Sequence, residues 1–338
     1  MGIFDFINTP LAKLFGWMTS LLYEFFGNFG LAIIFLTIIV RGLTMPLNIR
    51  SAKSMMKQQT LADKQAAIRR KYPDDKQKQN EEIQKLFTEN GVSPLSGCLM
   101  PLLTLIFLIP MYYIVREPLR YVTGVSKSNI SQMGELLGIS GVGSNNIPLI
   151  TRLTQDGKAM SDMVGKGLIK VQQIPNMKFL GLDLGTTPAW LPSKIKSDLS
   201  LYLPLLIIPV LVLVTTVLQN VIVNATKPDA KQKKEDKERA KNNPAFSEQK
   251  EPGAGTATML TKIMPIIMVV STFMLPAAFG FYWIAGNLMS MLQQVLTYFM
   301  FSKPYEEKKQ EMMEAKRDLF KKKKALAAET AGGKKGKK

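Results

Sequence analysis

The stretch FGLAIIFLTIIVRGLTMPL, residues 29–47, decides the fold. It is apolar apart from a few positions, and at about 1.5 Å of helical rise per residue it is long enough to cross a hydrocarbon core about 30 Å thick. Four more runs of this kind follow, at residues 95–115, 199–223, 259–275 and 277–301. Pro276 and Gly280 supply a turn signal between the last two, so they are read as two spans joined by a tight hairpin. With 46% hydrophobic residues the chain is too apolar to be disordered, and the arrangement of those residues in blocks sets its class.

The Lys and Arg content of the segments between the runs gives the orientation. Residues 50–92 carry 10, residues 224–256 carry 8 and residues 303–338 carry 13, whereas residues 1–28 carry only Lys13 and residues 118–198 carry 9. The three basic segments therefore belong to the cytoplasm. The predicted architecture is all-α: a polytopic membrane protein of five transmembrane helices, N-terminus out and C-terminus in, at residues 29–49, 94–117, 199–223, 259–276 and 277–302. Residues 50–93 read as a charged cytoplasmic helical hairpin with a thin apolar seam, turning at Tyr72-Pro73-Asp74 and ended by Gly91. Residues 118–198 form an outer loop, 224–258 a basic cytoplasmic loop and 303–338 a basic cytoplasmic tail.

Residues 1–28 lack the basic start and the small-residue cleavage site of a signal peptide. Phe4, Ile7, Leu11, Leu14, Phe15, Met18, Leu22 and Phe25 recur at intervals of three and four. That period predicts an amphipathic interfacial helix on the outer surface, and it also suits an ordinary packing helix.

Arg41 stands inside the first span, nine residues before Arg50 at its basic end, and so roughly 13 Å deep. An arginine near mid-membrane costs on the order of 3 kcal/mol or more. That depth is about twice what a snorkelling stem reaches. None of the five runs contains Asp or Glu, so no ion pair within them offsets the charge. Polar residues accompany it instead: Thr37, Arg41, Thr44 and Asn48 share one helical face. Thr215, Thr216, Gln219 and Asn220 lie in the third span, and Asn287, Ser290, Gln294 and Thr297 recur along the fifth. Several such stripes are satisfied by converging on a water-filled, positively charged groove open to the cytoplasm. For the Thr and Ser residues, hydrogen bonds between helices serve equally well.

The chain has no histidine and one cysteine, which excludes Ser/His/Asp triads, Cys/His dyads, histidine-ligated zinc and disulfides. No Gly-rich loop followed by Lys and Ser or Thr suggests nucleotide hydrolysis. No cofactor and no metal are expected, and the chain is not read as an enzyme. Lys321, Lys322, Lys323 and Lys324 in the basic tail suit phosphates of ribosomal RNA or anionic lipid; DNA is not expected as a partner.

Several motifs resemble the YidC family, the bacterial relatives of the mitochondrial and chloroplast insertases. They are Ile38-Ile39-Val40-Arg41 with Met45-Pro46-Leu47, Ser93-Pro94-Leu95-Ser96-Gly97-Cys98, Phe179-Leu180-Gly181-Leu182-Asp183-Leu184, Met264-Pro265-Ile266-Ile267-Met268, and Tyr282-Trp283 with Asn287 and Gln293-Gln294. The resemblance implies a membrane protein insertase and chaperone of the bacterial cell membrane. It also implies a hydrophilic groove in the inner leaflet, where Arg41 meets the polar or acidic tail of a client. The implied partners are nascent membrane proteins, the ribosome and the Sec translocon. The incoming helix would slide along the apolar faces of the second and fourth spans. Two features depart from the family: there is neither the large folded outer domain of Gram-negative members nor a lipobox cysteine before the first span. Cys98 is no substitute. A small-anion transporter or channel is the alternative, opposed by the lack of an Asp, Glu or His relay and of an inverted repeat.

Overall fold

The computed structural model describes residues 3–92, 96–226, 263 and 265–304, and in the tail 306–308, 310–312, 314–315, 318–319 and 322. Those residues are mostly helical. Beyond its first three residues the basic loop 224–258 lies outside them, as do residues 259–262 of the fourth span and Ser93-Pro94-Leu95; residues 265–271 of that span are helical. The chain divides into two units, Met1–Val221 with Lys250–Met291, and Ile222–Gln249 with Leu292–Lys338.

In the first unit, α1 (Ile3–Phe26), α2 (Phe29–Thr60) and α5 (Ser96–Arg116) pack on one another. Phe29, Ile33 and Leu36, spaced four and three apart on α2, share a fully buried core with Phe15 of α1 and Met111 and Ile114 of α5. Ile38, Ile39, Leu43 and Leu47 of α2 are exposed. The apolar residues of α1 divide between two faces: Phe15 is buried, while Leu14, Trp17, Leu21 and Phe25 stay exposed. The helix therefore both packs and presents an apolar surface. Its Gly16 lets it approach the chain at Tyr121, whose carbonyl oxygen would stand 2.9 Å from any added Cβ.

Among the described residues, two helical stretches are long and apolar enough to cross a membrane, Phe29–Ser54 and Leu199–Ala225, and Ile106–Arg116 is a shorter apolar one. The helix of the first stretch continues past the apolar residues, through Pro46, to Thr60. Two short helices follow, α3 (Ala62–Lys71) and α4 (Lys76–Glu89). Asp75 caps α4, its carboxylate accepting from the backbone N–H of Lys78 at 2.9 Å. Gly91, at φ 62°, takes the left-handed turn just beyond that helix. The second long stretch is broken in two, α11 (Leu199–Leu205) and α12 (Ile207–Ala225), after α10 (Pro192–Ser197). Pro209 accounts for the break, because its ring has no N–H to donate to Leu205 and crowds that residue's carbonyl.

Residues 118–198, read from composition as a loop, are folded. Helices α6 (Pro118–Tyr121), α7 (Lys127–Leu136), α8 (Ile147–Gln155) and α9 (Gly157–Gly165) close over Ile130, Met133, Leu149, Leu153, Met163 and Leu168. The Asn129 amide donates to the Leu168 carbonyl at 2.9 Å, and that of Gln173 to the Thr123 carbonyl at 3.1 Å. The second bond brings the two ends of the helical insertion together.

A minimal antiparallel hairpin, β1 (Lys178–Phe179) paired with β2 (Leu182–Asp183), then meets the N-terminal ends of α2 and of α13 (Ala277–Thr297). Helix N-termini carry N–H groups without partners inside the helix. Here the N–H of Phe29 donates to Asn176 O at 3.2 Å, that of Ala277 to Thr186 O at 2.9 Å and that of Ala278 to Leu184 O at 3.0 Å. Gly30 admits the hairpin: an added Cβ would lie 2.6 Å from Phe179 Cγ. β2 also contacts α11, so α2, α11 and α13 all begin at the hairpin end of the unit.

The second unit contains the last residues of α12 and α13, a π-helical turn at Tyr298–Ser302 and the helical residues of the tail. In it the Gln294 amide donates to the Thr226 hydroxyl at 2.7 Å.

Candidate functional site

The polar face of α2 follows from helical spacing, but its members meet their needs differently. Thr37 is buried and its hydroxyl donates back to Ile33 O at 2.7 Å. Thr44 does the same toward Val40 O at 3.0 Å and Arg41 O at 3.1 Å. Such back-bonding hides a hydroxyl inside an apolar helix. Asn48 is buried and has an interaction partner.

Arg41 has no such local solution. Its half-buried guanidinium reaches α13, where it faces the Tyr282 phenol and passes over Gly286. A Cβ at Gly286 would stand 3.3 Å from Arg41 Nη2, so the missing side chain makes the berth for the cation. Phe15, Phe107 and Met111 complete the walls of a cavity of about 10 Å³ at this point, enough for roughly one water. Among the described residues no carboxylate pairs with Arg41; the arginines that do pair there are Arg120, with Glu117 at 3.1 Å, and Arg152, with Asp156 at 2.9 Å. A guanidinium presents five N–H donors in a fixed fork, more than one phenol can accept.

One residue along α13 from Gly286, Asn287 turns to α12. Its buried amide donates to the hydroxyls of Thr215 at 3.1 Å and Thr216 at 2.9 Å. Thr215 in turn donates to Leu211 O at 2.7 Å. These three residues thus hold two helices together by hydrogen bonds. Gln219, Asn220 and Ser290 are half-buried. Gln294 belongs to the second unit with Thr226. Lys322 is exposed, and Lys321, Lys323 and Lys324 lie outside the described residues.

The structure therefore brings Arg41 to one side of the 282–287 turn of α13, and Thr215 and Thr216 to the other. Tyr282 and Gly286 escaped identification as site residues from sequence. The available signal was a glycine inside a helical run, four residues after a tyrosine, which marks a close approach on that face.

The family description of the 60Kd inner membrane protein matches residues 21–304 of the chain. The chain is 24% identical over 293 residues to a protein of Pseudomonas fluorescens (strain Pf-5) named membrane protein insertase YidC; this covers 87% of the chain and 35% of that protein. A protein of the same name from Brucella suis is 38% identical over 122 residues, 36% of the chain and 18% of the relative. One from Vibrio cholerae is 39% identical over 107 residues, 32% of the chain and 20% of the relative. The chain thus spans about a third of the length of the Pseudomonas relative, and less of the other two.

Proposed function

Because the chain belongs to the 60Kd inner membrane protein family, the YidC/Oxa1 family, we propose that it is a membrane protein insertase and chaperone. It moves short-tailed transmembrane segments of newly made proteins from the cytoplasm into the bilayer. In this reading five spans, N-terminus out and C-terminus in, surround a positively charged groove in the inner leaflet. The observation that carries the reading is Arg41, a half-buried cation among apolar helices with no carboxylate partner among the described residues. Its spare donors suit the polar or acidic tail of a client, in a setting where desolvation strengthens each such bond.

No covalent chemistry is required. Burial of the client's apolar residues, worth about 0.8 kcal/mol per CH₂, outweighs the transfer of a short tail and supplies the drive without nucleotide hydrolysis by this chain. Thr37, Arg41, Thr44, Asn48 and Gln219 line the path of the tail, with Asn220 and Ser290 beside them. Thr215 and Asn287 hold the third and fifth spans as its wall. The cavity at Arg41 has to widen when a tail enters, and separation of Arg41 from Tyr282 is the opening step. The client helix leaves along the apolar faces of the second and fourth spans, where Ile106, Ile266, Ile267 and Val270 are exposed. Ribosome, Sec translocon and anionic lipid are the partners expected for the basic cytoplasmic segments, with insertion proceeding alone or with the translocon.

The test is insertion of a short, acidic-tailed single-span protein into liposomes that contain only this protein, without nucleotide. Insertion above empty liposomes, reduced by Arg41→Glu, is the expected outcome. Equal insertion by the wild-type and Arg41→Glu chains would remove Arg41 from the path, and none from either would overturn autonomous insertion.

A further inference from the structure

The hairpin end of the first unit exposes apolar side chains that insertion does not use. Leu180, at the turn between β1 and β2, has φ 51° and is the one non-glycine residue with positive φ among the described residues. That backbone region suits Gly or Asn and strains a leucine. Its side chain is nonetheless 78% exposed. Trp190 is 68% exposed, and Leu191 beside it is exposed as well. A strained leucine and a tryptophan gain nothing from water, so a different medium is indicated at this end.

The neighbouring residues indicate which medium. Phe179, adjacent to Leu180, packs where a Cβ of Gly30 would lie, and its ring meets that of Phe281 edge-on with centroids 5.1 Å apart. The hairpin tip is therefore level with the first turns of α2 and α13. If those helices span the bilayer, this is the boundary between hydrocarbon and headgroups, where tryptophan concentrates. Directly after Leu191, α10 carries Lys194 and Lys196, and then the exposed Leu199 opens α11. The Lys194 ammonium sits over the ring of Tyr202, 5.5 Å from its centroid. Both nearby carboxylates are engaged locally: Asp183 accepts from the Gly185 N–H at 2.9 Å, and Asp198 from the Leu201 N–H at 3.1 Å and the Ser200 hydroxyl at 2.8 Å. With Lys178 on β1, three lysines face two aspartates, which leaves a net positive rim beside Leu191 and continuous with the apolar surface of the third span.

We propose that Leu180, Trp190 and Leu191 form a wedge seated in the membrane leaflet at the hairpin end, with Lys194 and Lys196 engaging phosphates of anionic lipid headgroups. The wedge fixes the depth at which the first, third and fifth spans begin. This rests on the membrane-spanning reading, though not on which face of the membrane is outside.

The test uses the full chain in liposomes with bromine on the lipid acyl chains. Of the three tryptophans, the signal of Trp190 is isolated as the difference between the wild-type chain and Trp190→Phe. Loss of that emission with brominated lipid, and its survival in aqueous acrylamide, is expected. A second reporter, Leu180→Trp in the Trp190→Phe background, is expected to lose its emission in the same way. Brominated phosphatidylglycerol is expected to quench more than brominated phosphatidylcholine, a preference abolished by Lys194→Gln with Lys196→Gln. Quenching by acrylamide instead would place the wedge in water and overturn the proposal. Quenching by neither agent would show a protein covering, such as a second copy, and would also overturn it. Equal quenching by the two lipids would overturn the headgroup contact. Flotation of the chain with the liposomes reads the spanning premise separately: a chain that fails to float overturns that premise itself.

Discussion

Gly286 is the residue on which the Arg41 site turns, since its missing side chain leaves room for a guanidinium. Gly286→Val puts a branched side chain where a Cβ alone would already stand 3.3 Å from Nη2. In the liposome assay this variant is expected to lose on the order of tenfold in insertion rate, equivalent to about 1.4 kcal/mol, with Gly286→Ala between it and wild type. An unchanged rate in Gly286→Val would mean that the berth has no part in insertion. Arg41 itself was legible in the sequence because a charge inside an apolar run stands out against its surroundings. Tyr282 and Gly286 were not, because an aromatic residue and a glycine in an apolar helix look like packing. Only the approach of α2 to α13 makes them neighbours of a cation.

Between elements, the joint of α12 and α13 depends on one amide and two hydroxyls. Asn287→Leu removes the donor shared by Thr215 and Thr216, and hydrogen bonds between membrane helices are worth about 0.6 kcal/mol on average. A lower unfolding temperature in detergent is expected, with little further loss when Thr216→Val is added, because the two changes remove one interaction. The sequence revealed the polarity of these residues without their partners, which depend on how the helices cross. It likewise marked a boundary near Arg50, where polarity changes, although the helix runs to Thr60. Composition records the medium around a helix, whereas its end is set by local backbone chemistry. That chemistry is visible at α9, which Asp156 caps by accepting from the N–H groups of Lys158 and Ala159, both at 3.1 Å. Chiefly the Ala159 bond, with help from Arg152 and Lys158, holds the Asp156 carboxyl below its usual range. A lowered folded-state value means that the cap is fully present above the unfolded value of about 3.9 and is lost as pH falls through the folded one. The protection of α9 amides, taken relative to the intrinsic exchange rate at each pH, should therefore fall on acidification through that window, and a fall already near neutral pH would refute the assignment.

For the whole molecule, the least legible part was residues 118–198. Its apolar residues are too scattered to show a period, yet they join one buried core with those of α1, α2 and α5. The Gln173–Thr123 bond brings the ends of the insertion together, so a short link can span them. A chain with residues 124–173 replaced by a short Gly/Ser link is expected to remain monodisperse in detergent and to keep its unfolding temperature within a few degrees. Aggregation would show that the remaining chain needs the insertion. The apolar runs, by contrast, were plain from sequence, since a bilayer demands long uninterrupted stretches.

The hairpin that caps α2 and α13 also imposes an order on the birth of the chain. Asn176 to Thr186 leaves the ribosome long before Ala277, so the Leu184 and Thr186 carbonyls await N–H groups not yet made. Helix α13 completes the clasp that α2 begins, and a chain halted before residue 277 leaves it half closed.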